Sequence, residues 1–276
     1  NAQDLDNIQS LGFRGEALAS IAAVSRFILV TRRAGDESAT QLRVEGGILR
    51  EVQQVGAPEG TRISINRLYF NTPVRAKFLK GITTELNHCI DIVQRLALAN
   101  TGVGFQLVHN DRMLLDVPEH ATLRDRVALI WGLSFIHEMV EVSGERNGFS
   151  LTGLAGTPEL TRASRSHQFF FVNGRPVSNP ALQYGLQDAY RGLLTVGRHP
   201  VAVLLLKLNP RQVDVNIHPT KREIRFREER EAHDAVRDCV RECLGRFSRA
   251  AAGTAAAEAG KMTGRFTSPE TVEAPP

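Results

Sequence analysis

The chain has 276 residues, 42% of them hydrophobic and 23% charged, with a formal net charge of +4. That length predicts two domains, each large enough for its own core, and the balance excludes a wholly disordered chain. No apolar run approaches the ~20 residues that span a bilayer, and nothing resembles a signal peptide.

Residues Asn1 to Ser10 make a short polar lead with Leu5 and Ile8 at helical spacing. They feed Leu11-Gly12-Phe13-Arg14-Gly15-Glu16-Ala17-Leu18, where two glycines bracket a bulky residue and an arginine. A helical pattern follows, with Leu18, Ile21, Ala22 and Ser25 in phase. Glycine lets another group approach the main chain, and the first amides of a helix lack intrahelical partners and carry partial positive charge. These features make an anion cradle suited to phosphate, to which Arg14 adds a planar set of donors. On chemistry alone, a tight turn before a helix would use the same residues.

Phe27 to Thr31 reads as a strand, Gln41 to Glu45 as an alternating strand, and Ile48 to Val55 as its hairpin partner. The simplest arrangement of these three is an antiparallel meander, and Gly60-Thr61 then introduces a further strand with Ile63 and Ile65 on one face. Thr72 suits an N-cap and Pro73 a first helical turn. Glu85 to Ala99 places Leu86, Ile90, Val93, Leu96 and Ala97 on one helical face. Phe105–Val108 and Met113–Val117 form a hairpin, and Pro118-Glu119 marks the domain exit.

The second domain opens at Thr122, with Asp125 in the first helical turn and Leu123, Val127, Ile130 and Trp131 on the buried face. Strands follow at about 139–143, 149–155 and 168–172. Phe169-Phe170-Phe171 leaves no polar alternation and predicts cover on both faces. Asn173-Gly174 is a turn, Asn179-Pro180 opens a helix with Leu182, Leu186 and Ala189 in phase, and Val201 to Leu208 is an apolar strand. Asp214-Val215-Asn216-Ile217-His218-Pro219 alternates as a half-buried strand until Pro219 stops it. Lys221 follows as a mobile cation on a fixed base, suited to a terminal phosphate; a solvated surface lysine is the plainer alternative. Three cysteines cannot all pair and suit a reducing compartment; Cys239 and Cys243, at i, i+4, read as buried packing rather than a metal site. Beyond Phe247 the chain turns alanine-rich, then rich in Gly, Thr, Ser and Pro, and 246–276 reads as a disordered linker.

Four blocks carry a family resemblance: Leu11 to Leu18, Leu68-Tyr69-Phe70-Asn71-Thr72-Pro73-Val74-Arg75-Ala76-Lys77-Phe78-Leu79, Phe171-Val172-Asn173-Gly174-Arg175, and Asp214 to Phe226. In this order they resemble the MutL family of DNA mismatch repair ATPases, over roughly residues 1 to 245. The resemblance implies an α/β fold of sandwich type. Residues 1–118 would be the C-terminal part of a GHKL (Bergerat-type) ATP-binding domain with the end of its lid, 119–245 a ribosomal S5 domain 2-like domain, and 246–276 the linker. It implies ATP and Mg2+ as cofactors, with Gly12, Phe13, Arg14, Gly15, Glu16 and Ala17 on the triphosphate. Thr61 would lie beside the adenine and Lys221 would reach the γ-phosphate.

The family's water-activating glutamate, magnesium-binding asparagine and Asp-x-Gly-x-Gly block have no counterpart in these residues, so the piece alone is expected to hydrolyse ATP slowly or not at all. The implied partners are DNA, bound without sequence preference, a mismatch-recognition protein of MutS type, and a second copy of the protein; the scarce cysteines and the lack of a signal peptide or spanning run predict no membrane and a cytoplasmic location. From the residues themselves, Arg162 and Arg165 in a polar loop, and Arg191 and Arg198 flanking Gly192-Leu193-Leu194, are candidates to line a groove and contact phosphates; arginines that simply solvate a surface are the plainer alternative. Two rivals stand beside this reading: another GHKL ATPase such as a type II topoisomerase region, and a DNA-binding scaffold without turnover.

Overall fold

The computed structural model describes residues 15–214 and 224–263, with side chains as far as Arg249. Gly12, Phe13, Arg14 and Lys221 lie outside the described residues. The chain divides into two compact units, residues 1–89 and 90–276.

In the first unit, helix α1 (Ala17–Ala22) leads through buried Ser25, whose hydroxyl donates to the Ile21 carbonyl at 2.7 Å, into strand β1 (Arg26–Arg32). Strands β2 (Ala39–Glu45), β3 (Ile48–Val55) and β4 (Gly60–Asn66) complete an antiparallel sheet in the order β3-β2-β1-β4. The three-strand meander is thus extended by β4 returning to the free side of β1. Phe27 and Ala39 are buried, but Ile63 and Ile65 of β4 remain 40% and 45% exposed.

Helix α2 (Pro73–Ala76) starts at the expected proline. Thr72 does not cap it through its side chain, and the Thr72 hydroxyl is buried without a partner. Helix α3 (Ile82–Ala99) begins three residues before the expected Glu85. The Glu85 carboxylate accepts from the Lys80 amide at 2.9 Å, which satisfies a donor just before the helix and lets it start early.

The second half of α3 belongs to the second unit, where Ala97 and Leu98 are fully buried. The hairpin β5 (Phe105–His109) and β6 (Arg112–Val117) turns at Asn110-Asp111, both with positive φ, as a two-residue hairpin requires. Helix α4 (Leu123–Trp131) opens with a capping box: Thr122 accepts from the Asp125 amide, and Asp125 accepts from the Thr122 amide.

Arg126, on this helix, is fully buried. Its guanidinium donates to five main-chain carbonyls, those of Ala97, Thr101, Val103, Pro118 and Ala121. Burial pulls its pKa below the usual arginine value, and the carbonyls at the C-terminal end of α3 bring helix-dipole negative charge to the cation. These bonds tie residues 97–118 to the second unit. The packing boundary therefore falls inside α3, upstream of the Pro118 exit read from the sequence.

After α5 (Leu133–His137), strands β7 (Met139–Arg146), β8 (Phe149–Gly156), β10 (Gln168–Val172), β11 (Arg175–Val177) and β13 (Ala202–Lys207) form a sheet in the order β11-β10-β13-β8-β7. Only β10 and β13 run parallel, and helix α6 (Pro180–Ala189), capped by the Asn179 side chain, makes the crossover between them. Both faces are covered. Phe170, Leu204 and Leu206 pack with Leu182 and Leu186 of α6 and Val236 and Val240 of α7 (Glu229–Thr263); Phe169, Phe171 and Val203 pack with Leu98, Val127 and Ile136. This is the mixed α/β architecture that the Phe169-Phe170-Phe171 run predicts.

Two glycines allow this closeness. A Cβ on Gly185 of α6 would lie 2.5 Å from the His233 carbonyl oxygen of α7, and one on Gly153 of β8 would lie 2.1 Å from the Val203 carbonyl oxygen. Cys239 and Cys243 are buried in the α7 seam, as expected. Helix α7 runs on to Thr263, through the alanine-rich stretch read from the sequence as the start of a disordered linker; alanine has the highest helix propensity of any residue. Among the described residues no helix is long and apolar enough to cross a membrane.

Candidate functional site

The predicted phosphate cradle is described only from Gly15 onward. Gly15 has φ +66, and a Cβ built on it would meet nothing within 4 Å among the described residues, so from their side the main chain there is open to approach. Glu16 precedes α1 as its N-cap without a side-chain bond, leaving the first amides of the helix unoccupied by that carboxylate, and Ala17 is its first residue.

Thr61 sits near the start of β4, directly opposite Thr31 of β1, and the two hydroxyls share a hydrogen bond at 2.8 Å. β-Branched residues favour this pairing, and a hydroxyl so engaged keeps capacity for one more bond.

Lys221 lies outside the described residues, but the chain on either side of it is fixed. Strand β14 (Val213–Asp214) pairs antiparallel with β15 (Arg225–Phe226), Val213 opposite Phe226 and Asp214 opposite Arg225. The described residues that flank 215–223 are thus neighbours across this strand pair. The return end is well anchored: Ile224 and Phe226 are buried, Asn179 donates to the Ile224 carbonyl at 3.0 Å, and the Phe226 amide donates to Glu229 at 3.1 Å.

Three of the four candidate DNA contacts come together at one end of the second unit. Strand β9 (Thr161–Arg162) pairs with β12 (His199–Pro200). Arg198 donates through Nε to the Thr161 hydroxyl at 2.9 Å and through Nη2 to the Thr161 carbonyl at 3.0 Å, and Arg162 Nη1 reaches the same carbonyl at 2.9 Å. The Arg162 guanidinium also lies over the Phe135 ring, 4.4 Å from its centroid. Arg165, in the short 3-10 turn that follows β9, donates to Gln183 Oε1 at 3.1 Å and lies over Tyr184. Arg191 differs, because Asp188 pairs with it at 2.9 Å and offsets its charge.

The same end carries an aromatic cluster that the sequence reading did not single out. Trp131 packs against Phe135, His167 and Phe169, with His167 stacked on Phe135. Burial and the Arg162 charge hold the His167 pKa below its ordinary value. Among the described residues no group of three or more His, Cys, Asp or Glu side chains could hold a metal ion.

Residues 127–245 match the family described as DNA mismatch repair protein, C-terminal domain. The DNA mismatch repair protein MutL of Syntrophotalea carbinolica is 46% identical over 235 residues, a match covering 85% of this chain and 37% of that protein. The chain therefore spans about two fifths of the length of such relatives. Among solved structures, the Aquifex aeolicus MutL ATPase domain complexed with ADP is 28% identical, with TM-score 0.57 over 76% of each chain. The N-terminal domain of a DNA repair protein superposes with TM-score 0.75 over 88% of this chain and 78% of its own; at 24% identity it speaks to the fold alone.

Proposed function

The chain belongs to the MutL family of DNA mismatch repair proteins, and from that premise we propose that it is part of an ATP-binding, ATP-hydrolysing matchmaker that couples mismatch recognition to later repair steps. The observation that carries this reading is the 28% identity to a MutL ATPase domain complexed with ADP, over three quarters of the chain. Residues 1–118 would be the rear part of the GHKL nucleotide domain and 119–245 the S5 domain 2-like transducer, with 246–276 leading onward. A type II topoisomerase region has less support, since the matched family and the relatives are mismatch-repair proteins.

Two features of the described residues support this reading. The open main chain at Gly15 accommodates a phosphate, and the Thr61 hydroxyl has capacity for a base or a water. In this reading the amides from Gly12 to Ala17 hold the triphosphate, Arg14 adds donors, and Lys221 places an ammonium on the γ-phosphate. ATP supplies a phosphoanhydride bond, and Mg2+ would be held through the phosphates and by the family's magnesium-binding asparagine, which has no counterpart among these residues. Contacts that the nucleotide makes in only one state would favour that state. That population shift would bring two copies together around DNA and present a surface to a MutS-type protein.

Nucleotide binding by the full-length protein tests the first half of this proposal. Lys221→Ala and Gly15→Val are each expected to weaken binding of a fluorescent ATP analogue about tenfold or more, equivalent to ~1.4 kcal/mol. Unchanged affinity in both would overturn the nucleotide reading. DNA binding tests the second half: the Arg162→Ala/Arg198→Ala pair is expected to lower the slope of log affinity against log salt by about 1.8, while Arg191→Ala, already paired with Asp188, changes it least.

A further inference from the structure

One face of the first sheet is sorted into rows. Phe27, Val44, Leu49 and Ile65 stand side by side across its strands, and Leu29, Leu42, Val52 and Ile63 form the next row. One step further along, the row on this face is wholly polar. Thr31 of β1 lies opposite both Thr40 of β2 and Thr61 of β4, and Gln54 of β3 lies opposite Thr40. Side chains alternate along a strand, which is why these positions share a face. The polar row is hydrogen-bonded: Gln54 Nε2 donates to the Thr40 hydroxyl at 3.4 Å, Gln54 Oε1 accepts from Ser38 at 2.9 Å, and the hydroxyls of Thr31 and Thr61 share a bond at 2.8 Å.

Thr61 is exposed and Thr31 half-buried, so the pair has an inner and an outer member. Beside Thr61, Gly60 has φ +114, and a Cβ built on it would meet nothing within 4 Å among the described residues, which leaves room for a ligand to reach the outer hydroxyl. A hydroxyl carries one hydrogen and two lone pairs. In a bonded pair the oxygen that accepts keeps its own hydrogen for a third group, and the oxygen that donates keeps lone pairs for one. The pairing edge of adenine offers an amino donor next to a ring-nitrogen acceptor, and Thr61 backed by Thr31 can serve either. Without that backing its hydroxyl turns freely in water, and a ligand has to order it on binding. Opposed threonines also stabilise a sheet in their own right, which is the plainer use of the pair.

We propose that Thr31 is a positioning residue for recognition of the nucleotide base: its hydroxyl, on the neighbouring strand, fixes that of Thr61, which makes the contact. This rests on the nucleotide reading above and adds to it a residue outside the blocks that carry the resemblance. The bond between the two hydroxyls and the open space beside Gly60 carry it. Valine has nearly the shape of threonine and favours strands as well, so Thr31→Val removes the hydroxyl and keeps the sheet.

The test is the affinity of the full-length protein for ATP and for inorganic tripolyphosphate, which has no base. Thr31→Val is expected to weaken ATP binding about fivefold and to leave tripolyphosphate within about twofold. Thr31→Ser keeps the hydroxyl and should bind ATP within about twofold of the unaltered protein, and Thr31→Ala serves if the valine variant does not fold. Thr61→Val should weaken ATP at least as much as Thr31→Val. The Thr31→Val/Thr61→Val pair should then be no weaker than Thr61→Val alone, because Thr31 acts only through that hydroxyl. Unchanged ATP affinity in Thr31→Val, losses that add in the pair, or an equal loss for ATP and tripolyphosphate overturns the proposal, the last because it marks a purely structural role. Failure of the nucleotide reading itself looks different: Lys221→Ala and Gly15→Val would then leave ATP affinity unchanged, whereas failure of the Thr31 role alone leaves their losses intact.

Discussion

The sheets of the two units are built from different strands, alternating in β2 to β4 and nearly continuously apolar in β10 and β13, and they reach opposite environments. In the first unit Ile63 and Ile65 of β4 and Leu49 and Val52 of β3 are exposed; in the second, Phe169, Phe170 and Phe171 are each at most 2% exposed, with helices on both sides. At roughly 25 cal/mol per Å² of apolar surface removed from water, the second sheet, with apolar strands covered on both faces, holds the larger share of stability. Amides of β10 and β13 should therefore exchange with deuterium far more slowly than those of β3 and β4.

The strongest way to break this contrast is Arg126→Ala. It strands five carbonyls and opens a void in the better-packed unit, and it should cost about 3–5 kcal/mol by urea denaturation, bringing the protection of the second sheet towards that of the first. Gly185→Ala drives a methyl group into the His233 carbonyl and should cost about 1–3 kcal/mol, with loosening confined to the seam between α6 and α7. Thr122→Ala removes one side of the α4 capping box, a loss of about 1 kcal/mol in the same assay.

The smallest effect is a pH dependence. The folded-state pKa of His167 is lowered, so the unfolded chain takes up the proton first as pH falls. Its contribution to stability is complete above the ordinary value of 6.5 and is lost progressively below it. The melting temperature should therefore fall between pH 7.5 and 5.5, and His167→Phe should flatten that decline. Asp125 and Asp234 have lowered pKa values as well, through hydrogen bonds from Thr122 and His233; their contributions are lost only as pH falls below the ordinary aspartate value of 3.8, outside that window.

What the sequence disclosed follows from the range of the forces involved. Thr122 with Asp125, Asn179 before Pro180, and the Phe169-Phe170-Phe171 run act through neighbours or through plain hydrophobicity, and each is found in the predicted place. Thr72 looked like the same kind of cap and is not one, since a hydroxyl cannot cap unless the local backbone turns its amides towards it. Arg126 was invisible because an arginine on an amphipathic helix reads as solvated, and only carbonyls 5 to 29 residues away make it a buried hub. The bond between Thr31 and Thr61 was hidden similarly, its partners being 30 residues apart and joined only by strand pairing. For the nucleotide site, the motifs at Gly12–Gly15 and Lys221 were readable by resemblance, and the described geometry covers Gly15 to Ala17, Thr61 and the paired strands that bracket 215–223.

The carbonyl cage around Arg126 has a consequence for anyone dissecting the protein. A recombinant piece beginning at residue 119, where the sequence marks the domain exit, would carry the guanidinium and only the Ala121 carbonyl, leaving behind Ala97, Thr101, Val103 and Pro118. One beginning at Ile90 takes all five along. The smallest self-sufficient portion of the second unit is thus set by the solvation shell of a single cation, which the polypeptide itself provides in place of water.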